Sequence, residues 1–191
     1  MRTAEVVRKT LETDIQISLC LDGGDISIET GIGFFDHMLT ALAKHSGFGL
    51  TVKCSGDLNV DGHHTVEDVG IVLGKALAQA LGDKGGIVRY GSAYIPMDEA
   101  LAFAVVDISC RPFVRYEAVM HQERCGDYDT CLTEEFFRAF AMNAGVTLHL
   151  NALYGTNAHH ITEALYKAAA HALKAACKSN NGGTLSTKGC L

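Results

Sequence analysis

Two short stretches carry residue types suited to holding a metal ion. One, from Gly62 to Gly70, reads GHHTVEDVG and contains His63, His64 and Glu67. The other, from Ala158 to Tyr166, reads AHHITEALY and contains His159, His160 and Glu163, so H-H-x-x-E recurs 96 residues later. Successive residues on a helix stand about 100° apart, so two adjacent histidines cannot easily hold one ion together. A histidine and a glutamate four residues on do share a face. His63 therefore pairs with Glu67 and His159 with Glu163, while His64 and His160 turn elsewhere. The spacing predicts two metal ions, each histidine of a pair serving a different one. Neutral imidazoles with carboxylates suit manganese, iron or zinc. Two further candidates lie upstream: His37 in FFDHML, 26 residues before His63, and Glu135 in EEFFRAF, 24 before His159. Both sit next to phenylalanine on what reads as the equivalent helix. Eight candidates fill two sites of four protein ligands and leave room for substrate and water.

The elements that must position them read as a duplication. In the first half, DIQISLCLDGGDISIET alternates apolar and polar residues around Gly23-Gly24, a hairpin signal. GFFDHMLTALAKHSG carries Phe35, Met38, Leu39 and Leu42 at helical spacing and stops at Gly47. FGLTVKCSG reads as a strand. HHTVEDVGIVLGKALAQALG reads as a long helix with Val66, Val69, Val72, Leu73 and Leu77 on one side. The second half repeats the order: ALAFAVVDIS and PFVRYEAVM as strands, LTEEFFRAFAMNAG as a helix, VTLHLNALYG as a strand, HHITEALYKAAAHALKAAC as a helix. No Pro- or Ser-rich linker divides the halves, and the tail KSNNGGTLSTKGCL is polar and loop-like. The expectation is an α+β fold in one catalytic domain, residues 1–191, made of two similar halves (about 1–90 and 91–191). Each half has a mixed sheet covered by two helices.

The totals exclude several function classes. The chain has 191 residues, is 48% hydrophobic and 20% charged, and carries a net charge of −6. A chain of that length buries roughly 70% of its unfolded surface and needs no staples. Its acidity argues against nucleic-acid binding, which calls for a basic face. The seven cysteines (20, 54, 110, 125, 131, 177 and 190) form no C-x-x-C pair and read as buried thiols of a reducing compartment. No 18-residue apolar run and no apolar leader stand out, so the expectation is a cytoplasmic protein.

Several segments together resemble one family, the imidazoleglycerol-phosphate dehydratases of histidine biosynthesis. They are RKTLET, GIGFFDHML, DGHHTVED, GIVRYGSAYIPMDEAL, DISCRP, TEEFFRAFA, AGVTLHL, GTNAHHITEALYKA and LSTKG, spread over essentially the whole chain. The resemblance implies the ribosomal protein S5 domain 2-like fold and two manganese ions per active site. One ion would take His37, His64, His159 and Glu163, the other His63, Glu67, His160 and Glu135. It further implies a homo-oligomer of 24 subunits with active sites between subunits, acting on a small phosphorylated imidazole. This sequence departs from the family at three positions: Glu135, where many members have histidine; Ala41, where glutamine is frequent; and Cys110, where glycine is usual.

The implied reaction is removal of water from imidazole glycerol phosphate to give imidazole acetol phosphate. The proton to be lost sits on a carbon with no neighbouring carbonyl, so the imidazole ring must supply the electronic help. A divalent cation favours its deprotonated form. The electron-rich ring expels the adjacent hydroxyl, which acidifies the next carbon, and a base then removes its proton. The resemblance makes that base Glu12 and assigns His45 to a substrate contact. Arg89 and Arg111 would grip the phosphate with paired donors, with Lys167, Ser186 and Lys188 adding contacts. The Gly-rich tail around Lys188 is suited to closing over substrate. His121, His149 and His171 match no catalytic position and read as structural or exposed. A binuclear phosphate-ester hydrolase would favour Asp-rich ligands. A ferritin-like metal store needs four long helices with E-x-x-H pairs. Neither fits histidine-rich, strand-rich halves.

Overall fold

The computed structural model describes residues 1–180 and 182–189. The expected α+β duplication is present. The first half runs β1 (Thr3–Lys9), β2 (Thr13–Cys20), β3 (Ile26–Glu29), α1 (Gly33–Ser46), β4 (Gly49–Gly56) and α2 (His63–Leu81). The second runs β5 (Tyr90–Met97), β6 (Ala100–Asp107), β7 (Phe113–Glu117), a small hairpin of β8 (Arg124–Cys125) and β9 (Tyr128–Asp129), α3 (Leu132–Ala144), β10 (Thr147–Tyr154) and α4 (Ala158–Cys177). Each half forms a four-stranded mixed sheet of the same order, β1-β2-β4-β3 and β5-β6-β10-β7, with the last strand parallel to its neighbour.

One expectation needs correction, and one strand has no counterpart in the sequence reading. The alternation around Gly23-Gly24 does not make a hairpin: β2 and β3 lie on opposite sides of β4. The hairpin partner of β2 is β1, in register from Thr3↔Cys20 to Lys9↔Asp14. Gly23 and Gly24 instead carry the chain across the end of β4. Gly24 holds φ +146, and a Cβ on Gly49 would come within 2.8 Å of the Gly24 Cα. Strand β5 escapes a periodicity reading because Gly91 and Pro96 interrupt its apolar residues. Pro96 is tolerated because β5 is an edge strand.

The helices form because their apolar residues recur on one side. Phe35, Met38, Leu39 and Leu42 on α1, and Val66, Val69, Val72, Leu73 and Leu77 on α2, are all buried. Both first helices end on a left-handed glycine, Gly47 and Gly145, which cap onto Ala43 and Ala141. Helix α2 covers β1 and β2, α4 covers β5 and β6, and the halves meet through α1 against α4 and α2 against α3. Helices α2 and α3 approach closely: a Cβ on Gly74 would sit 2.4 Å from the Phe140 carbonyl oxygen. One apolar cluster runs through both halves, with Phe35, Phe136, Tyr128 and Tyr166 at its centre. Each such side chain contributes about 1.5–3 kcal/mol by leaving water. The cysteine expectation is met in part. Cys177 is buried and Cys20, Cys54 and Cys125 half-buried, but Cys110 and Cys131 are exposed, on a loop and a helix cap, and Cys190 lies outside the described residues. Among the described residues no helix is long and apolar enough to cross a membrane.

Candidate active site

The pairing of α1 with α4 creates a three-donor cluster. His37 on α1 and His159 and Glu163 on α4 present ligand atoms that all lie within 4.8 Å of one another. Glu163 Oε2 is 3.2 Å from His37 Nε2 and 3.1 Å from His159 Nε2. The i,i+4 spacing on α4 continues past Glu163 to Lys167, whose Nζ donates to Glu163 Oε1 at 2.7 Å. Burial works against ionisation of Glu163, but Lys167 and His37 outweigh it and hold the carboxyl below the usual carboxylate range. An ionised carboxylate facing two imidazoles is a donor set that suits a borderline divalent cation.

The other predicted ligands stand apart from this cluster. His63 and Glu67 approach to 3.8 Å on the exposed face of α2, as their spacing requires. Glu135 on α3 is 3.8 Å from Arg138. His64 and His160, the second members of the pairs, do turn elsewhere. His64 Nδ1 lies 3.0 Å from Asp57, with its Nε2 3.7 Å from Glu12. His160 Nδ1 lies 2.7 Å from Glu99, with its Nε2 3.6 Å from Asp98. The Asp57 hydrogen bond pushes the His64 pKa up, and the Glu99 hydrogen bond does the same for His160. Glu99 itself is held far below the ordinary carboxylate range, first by His160 and then by the backbone N–H groups of Asn157 and Thr156.

Glu12 sits exposed in the turn between β1 and β2. Glu99 occupies the corresponding turn between β5 and β6. His45, two turns after His37 on α1, meets His171 of α4, Nδ1 to Nε2, at 3.2 Å. Burial, followed by Lys167 and His171, pushes the His45 pKa down and favours the neutral ring. Ala41 lies between His37 and His45 on the same helix and is buried.

A separate open groove of about 810 Å³ gathers Arg89, Arg111, Ser186 and Lys188. Arg89 donates Nε to Asp107 Oδ1 at 2.7 Å, and Arg111 Nη2 reaches the other oxygen at 3.3 Å. A further Arg89 hydrogen bond goes to the Leu185 carbonyl, tying the tail to this groove. Lys167, expected with these cations, is instead bound to Glu163. Cys110 precedes Arg111 with φ +56, a left-handed conformation in which glycine would be unstrained, and its sulfur meets Lys84 Nζ at 2.8 Å.

Sequence reasoning missed four contributors: Asp57, Glu99, Asp107 and His171. Only His171 had a usable signal, since it continues the 159, 163, 167 series along α4. The remaining histidines behave as expected: His121 is exposed, and His149 packs against Phe113 at 5.8 Å.

Known proteins agree on what this arrangement is similar to. The family model for imidazoleglycerol-phosphate dehydratase matches residues 30–173. A protein of that name from Exiguobacterium sp. is 59% identical over 191 residues, covering 99% of this chain and 98% of its own. Another, from Gluconobacter oxydans, is 58% identical, covering 100% of this chain and 98% of its own. The crystal structure of imidazoleglycerol-phosphate dehydratase from Staphylococcus aureus superimposes with a TM-score of 0.86 at 43% identity, covering 93% of this chain and 99% of that one. The structure from Pyrococcus furiosus, in complex with (S)-C348, gives 0.85 at 38% identity over 97% and 100%.

Proposed function

Since the chain belongs to the imidazoleglycerol-phosphate dehydratase family of hydro-lyases in histidine biosynthesis, we propose that it converts imidazole glycerol phosphate to imidazole acetol phosphate with two manganese ions per active site. The observation that carries this reading is the convergence of His37, His159 and Glu163 within 4.8 Å. In it, His37, His64, His159 and Glu163 hold one ion, and His63, Glu67, His160 and Glu135 hold the other. Because His64 and His160 diverge from the donors beside them within one chain, each set is completed by a neighbouring subunit. The working form is a homo-oligomer of 24 subunits in the cytoplasm, with sites at subunit boundaries.

When bound, the cations supply a positive field that favours the deprotonated substrate ring. The chain's own residues do the rest. Lys167 keeps Glu163 ionised before any ion arrives. Glu12, exposed and 3.7 Å from His64, removes the proton from the substrate carbon as general base. His45, kept neutral by its burial, offers a hydrogen bond to substrate. Arg89 and Arg111, with Ser186 and Lys188 from the tail, hold the phosphate and thereby orient the dihydroxypropyl chain.

The test is direct. Chelated protein is incubated with imidazole glycerol phosphate, then supplied with Mn2+. The expected result is no turnover before addition and formation of the keto product after it. Release of inorganic phosphate in place of that product overturns the reading.

A further inference from the structure

In each half the second histidine of the pair is tied down at the same ring nitrogen. His64 Nδ1 lies 3.0 and 3.1 Å from the two Asp57 carboxylate oxygens. His160 Nδ1 lies 2.7 Å from Glu99 Oε2. The two carboxylates come from unrelated places. Asp57 follows the end of β4, whereas Glu99 sits in the β5–β6 turn. Two routes to one outcome, in a duplicated scaffold, point to a requirement on the imidazole itself.

A neutral imidazole carries one N–H. If Nδ1 holds that proton against a carboxylate, the lone pair is left on Nε2. On both rings Nε2 faces an exposed carboxylate that lies beyond hydrogen-bond distance: Glu12 at 3.7 Å and Asp98 at 3.6 Å. Among the described residues, neither Nε2 makes a hydrogen bond.

We infer that Asp57 and Glu99 are positioning residues that fix the Nδ1–H tautomer and the ring orientation of His64 and His160, so that each ring presents Nε2 to a divalent cation. The inference rests on the metal reading above. Carboxylates that receive the second N–H of a ligating histidine raise its basicity and hold its ring, and losing one weakens metal binding by about 10–100-fold. Asp57 gives the cleaner test. Among the described residues its carboxylate has no hydrogen-bond partner but His64. Glu99 also receives the backbone N–H groups of Thr156 and Asn157.

Metal-stripped protein is titrated with Mn2+ while the free ion is followed by electron paramagnetic resonance, with circular dichroism to establish folding. Asp57→Ala is expected to bind about 10–100-fold more weakly than wild type. Asp57→Asn, whose amide oxygen still accepts from Nδ1, is expected to fall between. Wild-type affinity in both folded variants overturns the inference and leaves the metal reading standing. Wild-type protein that takes up no Mn2+ overturns both. A manganese-loaded crystal adds a readout independent of the variants: coordination through His64 Nε2 supports the inference, and coordination through Nδ1 overturns it.

Discussion

The two halves bring corresponding helices together, yet only one pair closes a cluster. On α1 and α4, His37, His159 and Glu163 converge. On α3 and α2 the corresponding positions hold Glu135, His63 and Glu67, and among the described residues these do not gather: Glu135 turns to Arg138, and Glu67 remains 44% exposed. The charges beside the two sets of donors differ. Four residues after Glu163 stands Lys167, which binds it. Four residues after Glu67 stands Ile71, which cannot. His37 can attract Glu163, whereas Glu135, at the position corresponding to His37, carries the same charge as Glu67. A duplicated scaffold thus carries one cluster assembled by its own side chains, while the corresponding donors of the other helix pair stay apart.

The largest test of this comparison concerns the equivalent turns. Glu12→Gln is expected to cut turnover by about 10²–10⁴-fold, the usual contribution of a general base, with Tm and assembly unchanged. Glu99→Gln, at the corresponding turn, is expected to lower Tm, because it disturbs His160 and the start of α4. Turnover measured beside thermal unfolding separates the two. If Glu12→Gln turns over near the wild-type rate, Glu12 is not the base.

Next in size is the contrast between the two cluster glutamates. In metal-free protein, Glu163→Ala is expected to cost on the order of 1–3 kcal/mol, since it leaves the Lys167 ammonium without its partner. Glu67→Ala, exposed on α2, is expected to change stability by about 0.5 kcal/mol or less. Urea denaturation of both variants decides it, and equal losses would break the comparison. Titration of stripped protein with Mn2+ should then resolve two classes of site, the tighter including Glu163. A single class would mean that the charge difference has no consequence for binding.

The smallest effect is in acid. Glu99 has a folded pKa below its ordinary value of 4.5. A group of this kind adds stability above its unfolded pKa and loses that contribution as pH falls through the folded one. The Tm gap between wild type and Glu99→Gln is therefore expected to shrink as pH falls below 4.5. A gap that widens in acid would reverse the sign and refute the assignment.

How legible was this in the sequence? The repeat of H-H-x-x-E, the two long helices behind it and the divergence of adjacent histidines follow from helical spacing alone, and the structure agrees. The placement of β3 was not legible, because its parallel pairing with β4 depends on helix α1 crossing between them. Asp57, Glu99 and Asp107 were not legible either. They act across 7, 61 and 18 residues, on His64, His160 and Arg89, and no local period links such partners. The convergence of Arg89, Arg111 and the tail came only from resemblance, since separated surface cations look alike in sequence.

The shared carboxylate of Asp107 has a consequence of its own. Two guanidinium groups on one carboxylate leave a single unit of surplus positive charge, with Arg89 buried and Arg111 64% exposed. An anion arriving at this groove would find Arg89 already ordered by the fold, so the entropic cost of holding that side chain would have been met before capture.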